Sequence, residues 1–430
     1  MTGQASAAGM SRSRLIVAGI VGNVMEWYDF AIYGYFVSTI GQLYFPATDK
    51  TASLLAAYGA FAVGFVVRPI GAAIFGHIAD RIGRAYSLIW SVVAMTIPSV
   101  CIGFLPTYQD IGVAASLLML LLRILQGLAV GGEYVGSVVF LTERAPTANR
   151  GLDSSWPTFG ATLGFLLGSA AGTVIYSALS PAEVAGWGFR LPFLLGALVG
   201  LTGFLIRRHL TLDTPPAKAG YPLLVALRSY PKEMAQAIGI SVINGIGFYL
   251  LFSYIVTWLQ LYSDIRPSTS LAFTTVNMAI MMAVTPLAGA LSDRIGRRPV
   301  LLYTGVGMAV LTVPLWALMK FGGPPEIFLA QLVFALLVGA YSAVNPVAIC
   351  EIFPPAVRSS AASTAYNITM GFAGGTAPIV ATWMIERSHR PGAPAVYLVL
   401  AAVVSTLAVL SVRSFKPRED VAAGAALTAR

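Results

Sequence analysis

The chain is short of charge, of cysteine and of histidine, and each shortage removes a class of function. Asp, Glu, Lys and Arg make up 10% of its 430 residues, where a soluble domain has about a quarter. With 57% hydrophobic residues, such a chain is an integral membrane protein. The two cysteines, Cys101 and Cys350, both lie in apolar runs and suggest neither a disulfide framework nor a metal site. The three histidines, His77, His209 and His389, lie near the ends of such runs, with no Cys or Glu at ligand spacing. No nucleophile–base pair stands out, so an enzyme is not expected, nor any metal or cofactor. Acids are also scarce, 18 against 27 bases, for a net charge of +9. That excess does not read as a nucleic-acid surface, because the bases sit singly or in short clusters between apolar runs. The leader Met1–Ser13 is small and polar, and the first apolar run is too long for the core of a cleavable signal.

What the chain does have is apolar runs. A first set lies near 15–40, 53–78, 86–105, 111–141, 158–180 and 190–206. A second lies near 235–262, 270–291, 299–319, 327–349, 360–384 and 395–412. Each has roughly the 20 residues that cross a bilayer, and in hydrocarbon an open-ended span must be a helix to satisfy its backbone. The expected fold is all-α, with twelve transmembrane helices in two pseudo-symmetric six-helix bundles. The expected divisions are an amino-terminal tail 1–14, a first bundle 15–206, a polar, proline-rich linker 207–234, a second bundle 235–412 and a tail 413–430. Most of the 27 Lys and Arg fall in loops on the side of the termini. The positive-inside rule then puts both termini in the cytoplasm of a cell whose inner (plasma) membrane holds the protein.

The two sets are related. Gly76-His77-Ile78-Ala79-Asp80-Arg81-Ile82-Gly83-Arg84 returns as Gly289-Ala290-Leu291-Ser292-Asp293-Arg294-Ile295-Gly296-Arg297, both reading G-x-x-x-D-R-x-G-R. Glu143, Pro146, Arg150 and Gly151 recur as Glu351, Pro354, Arg358 and Ser359. Two related halves in an apolar chain point to a transporter.

Charges inside the runs are the candidate site. Each costs about 2.5–3.5 kcal/mol at mid-membrane, so it faces a cavity or a partner. Glu26, Asp29 and Tyr33 share a face of the first span; Arg68 precedes Pro69 in the second. Arg123 lies in the fourth, Tyr134 returns to its face, Glu133 lies about 80° away, and Arg190 opens the sixth. These residues form an anion and proton site, or they pair permanently to tie the first bundle together. The second half carries neutral groups instead, among them Asn244, Tyr249, Asn345 and Tyr366. They supply hydrogen bonds and an aromatic wall to a ligand, or they only pack helices. Gly160, Gly164, Gly168 and Gly172 line one face of the fifth span, as a tight helix contact or a sliding surface between the halves.

The doubled G-x-x-x-D-R-x-G-R loop resembles the signature of the major facilitator superfamily. Within it, Gly22-Asn23-Val24-Met25-Glu26-Trp27-Tyr28-Asp29-Phe30 is similar to the first-helix motif of the metabolite:proton symporters. So are Arg68-Pro69-Ile70-Gly71, Arg123-Ile124-Leu125-Gln126-Gly127 and Trp187-Gly188-Phe189-Arg190-Leu191-Pro192-Phe193 to later stretches of that family. The family includes symporters for α-ketoglutarate, citrate, shikimate and other organic acids, and for proline and betaine. The resemblance implies two bundles rocking about a central site. It also implies that Asp80 and Arg84, like Asp293 and Arg297, latch helix ends on the cytoplasmic side, with Glu143 and Glu351 as partners. Ala85 departs from the pattern where the family often has a second base; Arg298 keeps it in the other half.

The expected function is uptake of a small organic anion, a di- or tricarboxylate or related acid, by proton symport with the proton gradient as energy source. Arg68, Arg123 and Arg190 are the anion-binding candidates, since the guanidinium fork matches a carboxylate. Tyr33, Asn244, Tyr249, Asn345 and Tyr366 complete the binding set, and Glu26, Asp29 and Glu133 are the proton carriers. The expected partners are the organic acid, the proton and the lipid bilayer, with no nucleic acid and no obligatory protein partner. The alternative is symport of a zwitterionic osmolyte such as proline or betaine. It ranks second because osmosensing members carry a long heptad-repeat tail that does not appear before Arg430.

Overall fold

The protein, a computed structural model, is described over residues 12–81, 84–130, 133–207, 222–355 and 357–415, and among these it contains helices but no strand. The first half comprises α1 (Arg12–Tyr35), α2 (Lys50–Val66, resuming as Arg68–Arg81), α3 (Arg84–Phe104), α4 (Val113–Val130, with Glu133–Arg144 beyond it), α5 (Arg150–Ala178) and α6 (Arg190–Arg207). The second comprises α7 (Pro231–Tyr262), α8 (Pro267–Ile295), α9 (Arg297–Phe321), α10 (Pro324–Ile352), α11 (Arg358–Ser388) and α12 (Ala393–Ser411). Among the described residues nine helices are long and apolar enough to cross a membrane; α6, joined to Pro181–Gly188 at a 42° bend, makes a tenth. With α1 and α3 these give the expected twelve-helix membrane fold. Residues 1–11 and 416–430 of the tails and most of the linker, at 208–221, lie outside the described residues.

Local chemistry sets where the helices stop. Asp49 accepts from Thr51 N at 3.0 Å and Ala52 N at 3.3 Å, capping the start of α2. Between α3 and α4, Thr107 and Asp110 form a capping box that turns the chain. Gly296 adopts φ 93° in the single-residue turn from α8 to α9, a conformation that excludes a side chain at that motif glycine. α2 breaks at Val67, just before Arg68-Pro69, because proline lacks the N–H that would continue the ladder. The break starts a new helix with Arg68 at its first residue. α7 and α11 each widen to a π-turn, at Leu250–Tyr254 and Met370–Gly374.

The glycine stripe of α5 is mainly a contact inside the first half. A Cβ on Gly160 would lie 2.6 Å from the Ile20 carbonyl of α1, one on Gly164 would overlap the Val24 carbonyl, and one on Gly168 would meet Ala31 at 2.8 Å. Gly172 alone of the four faces the other half, against Leu271 of α8. A second close approach places the site: a Cβ on Gly127 of α4 would overlap the Gly64 carbonyl of α2. Arg123, one turn before Gly127, is thereby pressed against α2.

Candidate functional site

Two fully buried arginines stand at the centre of the first half, Arg68 with 2% and Arg123 with 0% exposure. Aromatic rings surround both. The Arg68 guanidinium lies 4.1 Å from the Phe65 ring, 4.4 Å from Phe30 and 5.7 Å from Trp27. That of Arg123 lies 4.3 Å from Tyr33, 4.8 Å from Phe30 and 5.6 Å from Phe61. Phe30 is thus shared by the two cations. Desolvated cation–π contacts are worth about 2 kcal/mol each, which helps hold guanidinium groups away from water. They leave N–H groups over: Nε and Nη2 of both arginines have no hydrogen-bond partner. Unpaired buried donors are costly, and these four nitrogens belong to two guanidinium groups that share the Phe30 ring.

Each arginine answers to a different acid. Arg68 Nη1 lies 3.6 Å from Glu26 Oε1. Among the described residues Arg123 makes no such ion pair; its Nη1 donates to Gln126 Oε1 at 2.8 Å. Gln126 Nε2 in turn donates to Asp29 Oδ2, and Ser99 of α3 donates to Asp29 Oδ1. Gln126 Nε2 also reaches Ser99 Oγ at 2.8 Å. A narrow crevice between α1, α3 and α6, past Met25, Met95 and Gly196, leads to Asp29. Glu26 and Asp29, on neighbouring turns of α1, therefore serve separate arms of the site.

The second half closes the core with neutral groups. Tyr249 of α7 packs 4.9 Å from Phe65 and 5.8 Å from Phe61, and its hydroxyl has no partner. Tyr366 stacks on Tyr134 across the halves, with centroids 5.0 Å apart. Asn244 Oδ1 accepts from Ser342 Oγ at 2.5 Å, and Asn345 Oδ1 from Ser241 Oγ at 3.3 Å, leaving Asn345 Nδ2 unpaired. The two asparagines thus lie among α7 and α10 residues. Tyr33 contributes its ring, because its hydroxyl is spent on the Ala57 carbonyl at 3.0 Å.

The structure does not bring every sequence candidate here. Arg190 caps the end of α3, donating from Nη1 to the carbonyls of Gly103 at 3.1 Å and Leu105 at 2.8 Å. It belongs to the loop end of the bundle, not the core with Arg68 and Arg123. Its position at the first residue of α6, beside a turn, is the reason. The side chain of Glu133 lies outside the described residues. Conversely, Gln126, Ser99, Phe30, Phe61 and Phe65 were not singled out by sequence. Gln126 left one signal: a polar residue in an apolar run, three positions after Arg123 on the same helix face.

The second group of charges lies at the end of the bundle that carries the doubled motif. Asp293, on α8, accepts from Gly151 N at 2.7 Å and Leu152 N at 2.9 Å, capping the start of α5 in the other half. A carboxylate there meets the positive end of the helix dipole. Gly151 and Gly289 let the backbones meet, since a Cβ on either would lie 2.5–2.6 Å from the other's carbonyl. Arg297 holds Asp293 at 2.7 Å and grips Glu351 with two N–H groups, at 3.0 and 3.2 Å. Arg358 crosses the halves to Glu143 at 3.3 Å. The expected partner of Glu143 was Arg84; the side chains of Asp80 and Arg84 lie outside the described residues. At the opposite end the halves also touch, through Tyr58 Oη to Thr257 Oγ1 at 3.2 Å.

Two membrane-embedded helical halves, clasped at both ends around a buried charged core, define a transporter. Residues 15–215 match the sugar (and other) transporter family and residues 237–428 the Major Facilitator Superfamily. The glycine betaine/proline/ectoine/pipecolic acid transporter of Dickeya dadantii is 34% identical over 411 residues, 92% of this chain and 82% of that protein. The proline/betaine transporter of Escherichia coli K12 is 32% identical over the same shares. A putative proline/betaine transporter of Staphylococcus aureus is 31% identical over 92% of this chain and 87% of its own. Among solved structures, a D-xylose–proton symporter superposes with a TM-score of 0.73 at 18% identity, over 94% of this chain and 98% of that one. The chain belongs to the major facilitator superfamily and, within it, to the metabolite:proton symporter family that its sequence motifs resemble.

Proposed function

We propose that the protein is a proton symporter that takes up a small zwitterion of the proline and betaine kind by alternating access. The observation that carries this reading is the pair of buried arginines that share the Phe30 ring and keep unpaired guanidinium nitrogens. A carboxylate would accept from those donors bidentately. The ammonium end of the same solute would find the rings of Trp27, Tyr249, Tyr134 and Tyr366, whose faces attract cations. Charge balance favours a zwitterion as well. Among the described residues Arg68 and Arg123 are offset by Glu26 and Asp29, so a solute of zero net charge leaves that set neutral and a single proton suffices to change it. The relatives' substrates weigh the same way, against the di- or tricarboxylate expected from sequence alone.

In this reading Arg68 and Arg123 bind the carboxylate, and Asp29 with Glu26 carries the proton. Arg190, at the loop end, has no part in binding. The motif end faces the cytoplasm, a reading supported by the distribution of basic residues, and Asp293 with Arg297, Glu351, Arg358 and Glu143 holds it shut. Contacts between the halves at both ends and ring packing between them support reading this conformation as a closed stage between outward and inward opening. Purified protein in proteoliposomes, with an imposed pH gradient acid outside, tests the reading. Glycine betaine or proline is expected to accumulate above its equilibrium level. Accumulation of α-ketoglutarate or citrate with neither zwitterion would return the assignment to organic anions.

A further inference from the structure

One amide joins the proton arm of the site to the substrate arm. Gln126 is fully buried; its oxygen accepts from Arg123 and its nitrogen donates to Asp29. It stands where an ion pair between Arg123 and Asp29 would otherwise form. An amide presents an acceptor to a cation and a donor to an anion from opposite ends of one rigid group. The two charges therefore fix its orientation, since the flipped amide would set N–H groups against the guanidinium and an oxygen against the carboxylate. The groups that face Asp29 are Ser99 on α3, Gln126 and Arg123 on α4, Tyr28 on its own helix and Gly196 on α6.

We propose that Gln126 is the positioning residue that reports the protonation of Asp29 to Arg123, an inference that rests on the symporter reading above. With Asp29 ionised, the amide is locked and its oxygen holds Arg123 Nη1. When a proton is added to the Asp29 carboxylate, one of the two locking charges disappears. The amide is then free to turn over, so that its oxygen accepts the O–H of the neutral carboxyl and is withdrawn from Arg123. Nη1 is then released and joins Nη2 and Nε in facing the substrate carboxylate. The proton remains on Asp29 until the opposite side opens, and its departure restores the lock. Arginine and acid are thus coupled without touching, and either can be emptied without leaving its partner bare.

The test compares the wild type with Gln126→Met, which keeps the volume and removes both hydrogen bonds, and Gln126→Glu, which keeps the shape and sets a carboxylate on Arg123. Proteoliposomes are assayed with radiolabelled glycine betaine and proline for gradient-driven accumulation, for exchange without a gradient, and for the half-saturating concentration as a function of pH. Wild-type affinity is expected to change about fivefold or more across the pH range, a usual size for coupling between two sites. In both variants exchange continues, the change falls below about twofold, and accumulation drops at least about tenfold. A purely structural role would instead lower exchange, accumulation and folded yield together and leave the pH dependence of the residual activity intact. That outcome, or wild-type pH dependence in both variants, overturns the proposal; if Gln126→Met does not fold, Gln126→Glu decides. Failure of the wild type to accumulate either solute overturns the zwitterion reading on which this inference rests, whereas wild-type accumulation with coupled variants overturns the inference alone.

Discussion

In the first half four buried charges lie at mid-membrane, Glu26, Asp29, Arg68 and Arg123 on α1, α2 and α4, while a fifth, Asp153, lies in the first turn of α5. In the second half they lie at the motif end, in Asp293, Arg297, Glu351 and Arg358, while its middle offers Asn244, Asn345, Tyr249 and Tyr366. The helices repeat, but the sites of charge do not. A buried ion is tolerated where another group satisfies it, so each half shows where its partners are. The first half keeps Arg68 and Arg123 satisfied only in part, with four guanidinium nitrogens unpaired. The second half pairs Arg297 on three sides, with Ser292, Asp293 and Glu351. Incomplete satisfaction suits a group that waits for a ligand; complete satisfaction suits a clasp.

The largest effect should come from the centre of the charged half. Arg123→Lys keeps the charge and loses the planar fork. Binding of glycine betaine or proline is expected to weaken at least about tenfold, equivalent to about 1.4 kcal/mol, with near-normal expression. The matching change Arg190→Lys should leave affinity within about twofold, because its contacts, the carbonyls of Gly103 and Leu105 and the Phe189 ring, lie at the loop end. Equal losses in the two variants would erase the distinction between core and loop end. A double replacement sharpens the result further: if Arg123→Ala abolishes uptake and added Asp29→Ala restores it, the arginine only balanced the acid.

Next in size is the clasp of the second half. Asp293→Asn removes the carboxylate that caps α5 and holds Arg297. It is expected to shift the population towards the state open at that end by about 1–2 kcal/mol, a five- to thirtyfold change in the ratio. Labelling of Ser155→Cys, placed beside Gly289, should rise accordingly. Unchanged labelling together with normal transport would show that the clasp does not hold the halves.

Two tyrosines give smaller, opposed effects. Tyr249→Phe removes a hydroxyl without a partner in this structure. If it awaits the solute, affinity falls roughly two- to tenfold, the value of one hydrogen bond of about 0.5–1.5 kcal/mol. Unaltered affinity would leave the second half with a wall and no polar contact at that point. Tyr33→Phe is the smallest change. It gives up the bond to Ala57 and keeps the ring under Arg123, so thermal stability should fall by about 1 kcal/mol with affinity unaltered. A clear loss of affinity would mean that the Tyr33 hydroxyl leaves Ala57 when the site fills.

The sequence by itself determined that this chain lives in a membrane, that it doubles, and that Arg68, Arg123, Glu26 and Asp29 lie inside the spans. Those properties follow from apolar length and from the cost of charge in hydrocarbon, which act along one segment at a time. It also carried the family, because the motifs are local runs of residues. Only the tertiary structure decided the pairings. Helical phase put Glu26, Asp29 and Tyr33 on one face, yet phase carries no information about which neighbour a face meets. Glu26 went to Arg68, Asp29 to Gln126, and the Tyr33 ring to Arg123. The glycine stripe read equally well as a seam within a half or between halves until α1 was seen against three of its four members. Asp293 could be foreseen at a helix end, but the helix it caps is α5, about 140 residues away in the chain. Such contacts are set by how close two backbones come, and that distance is a property of the packed bundle, not of any one run.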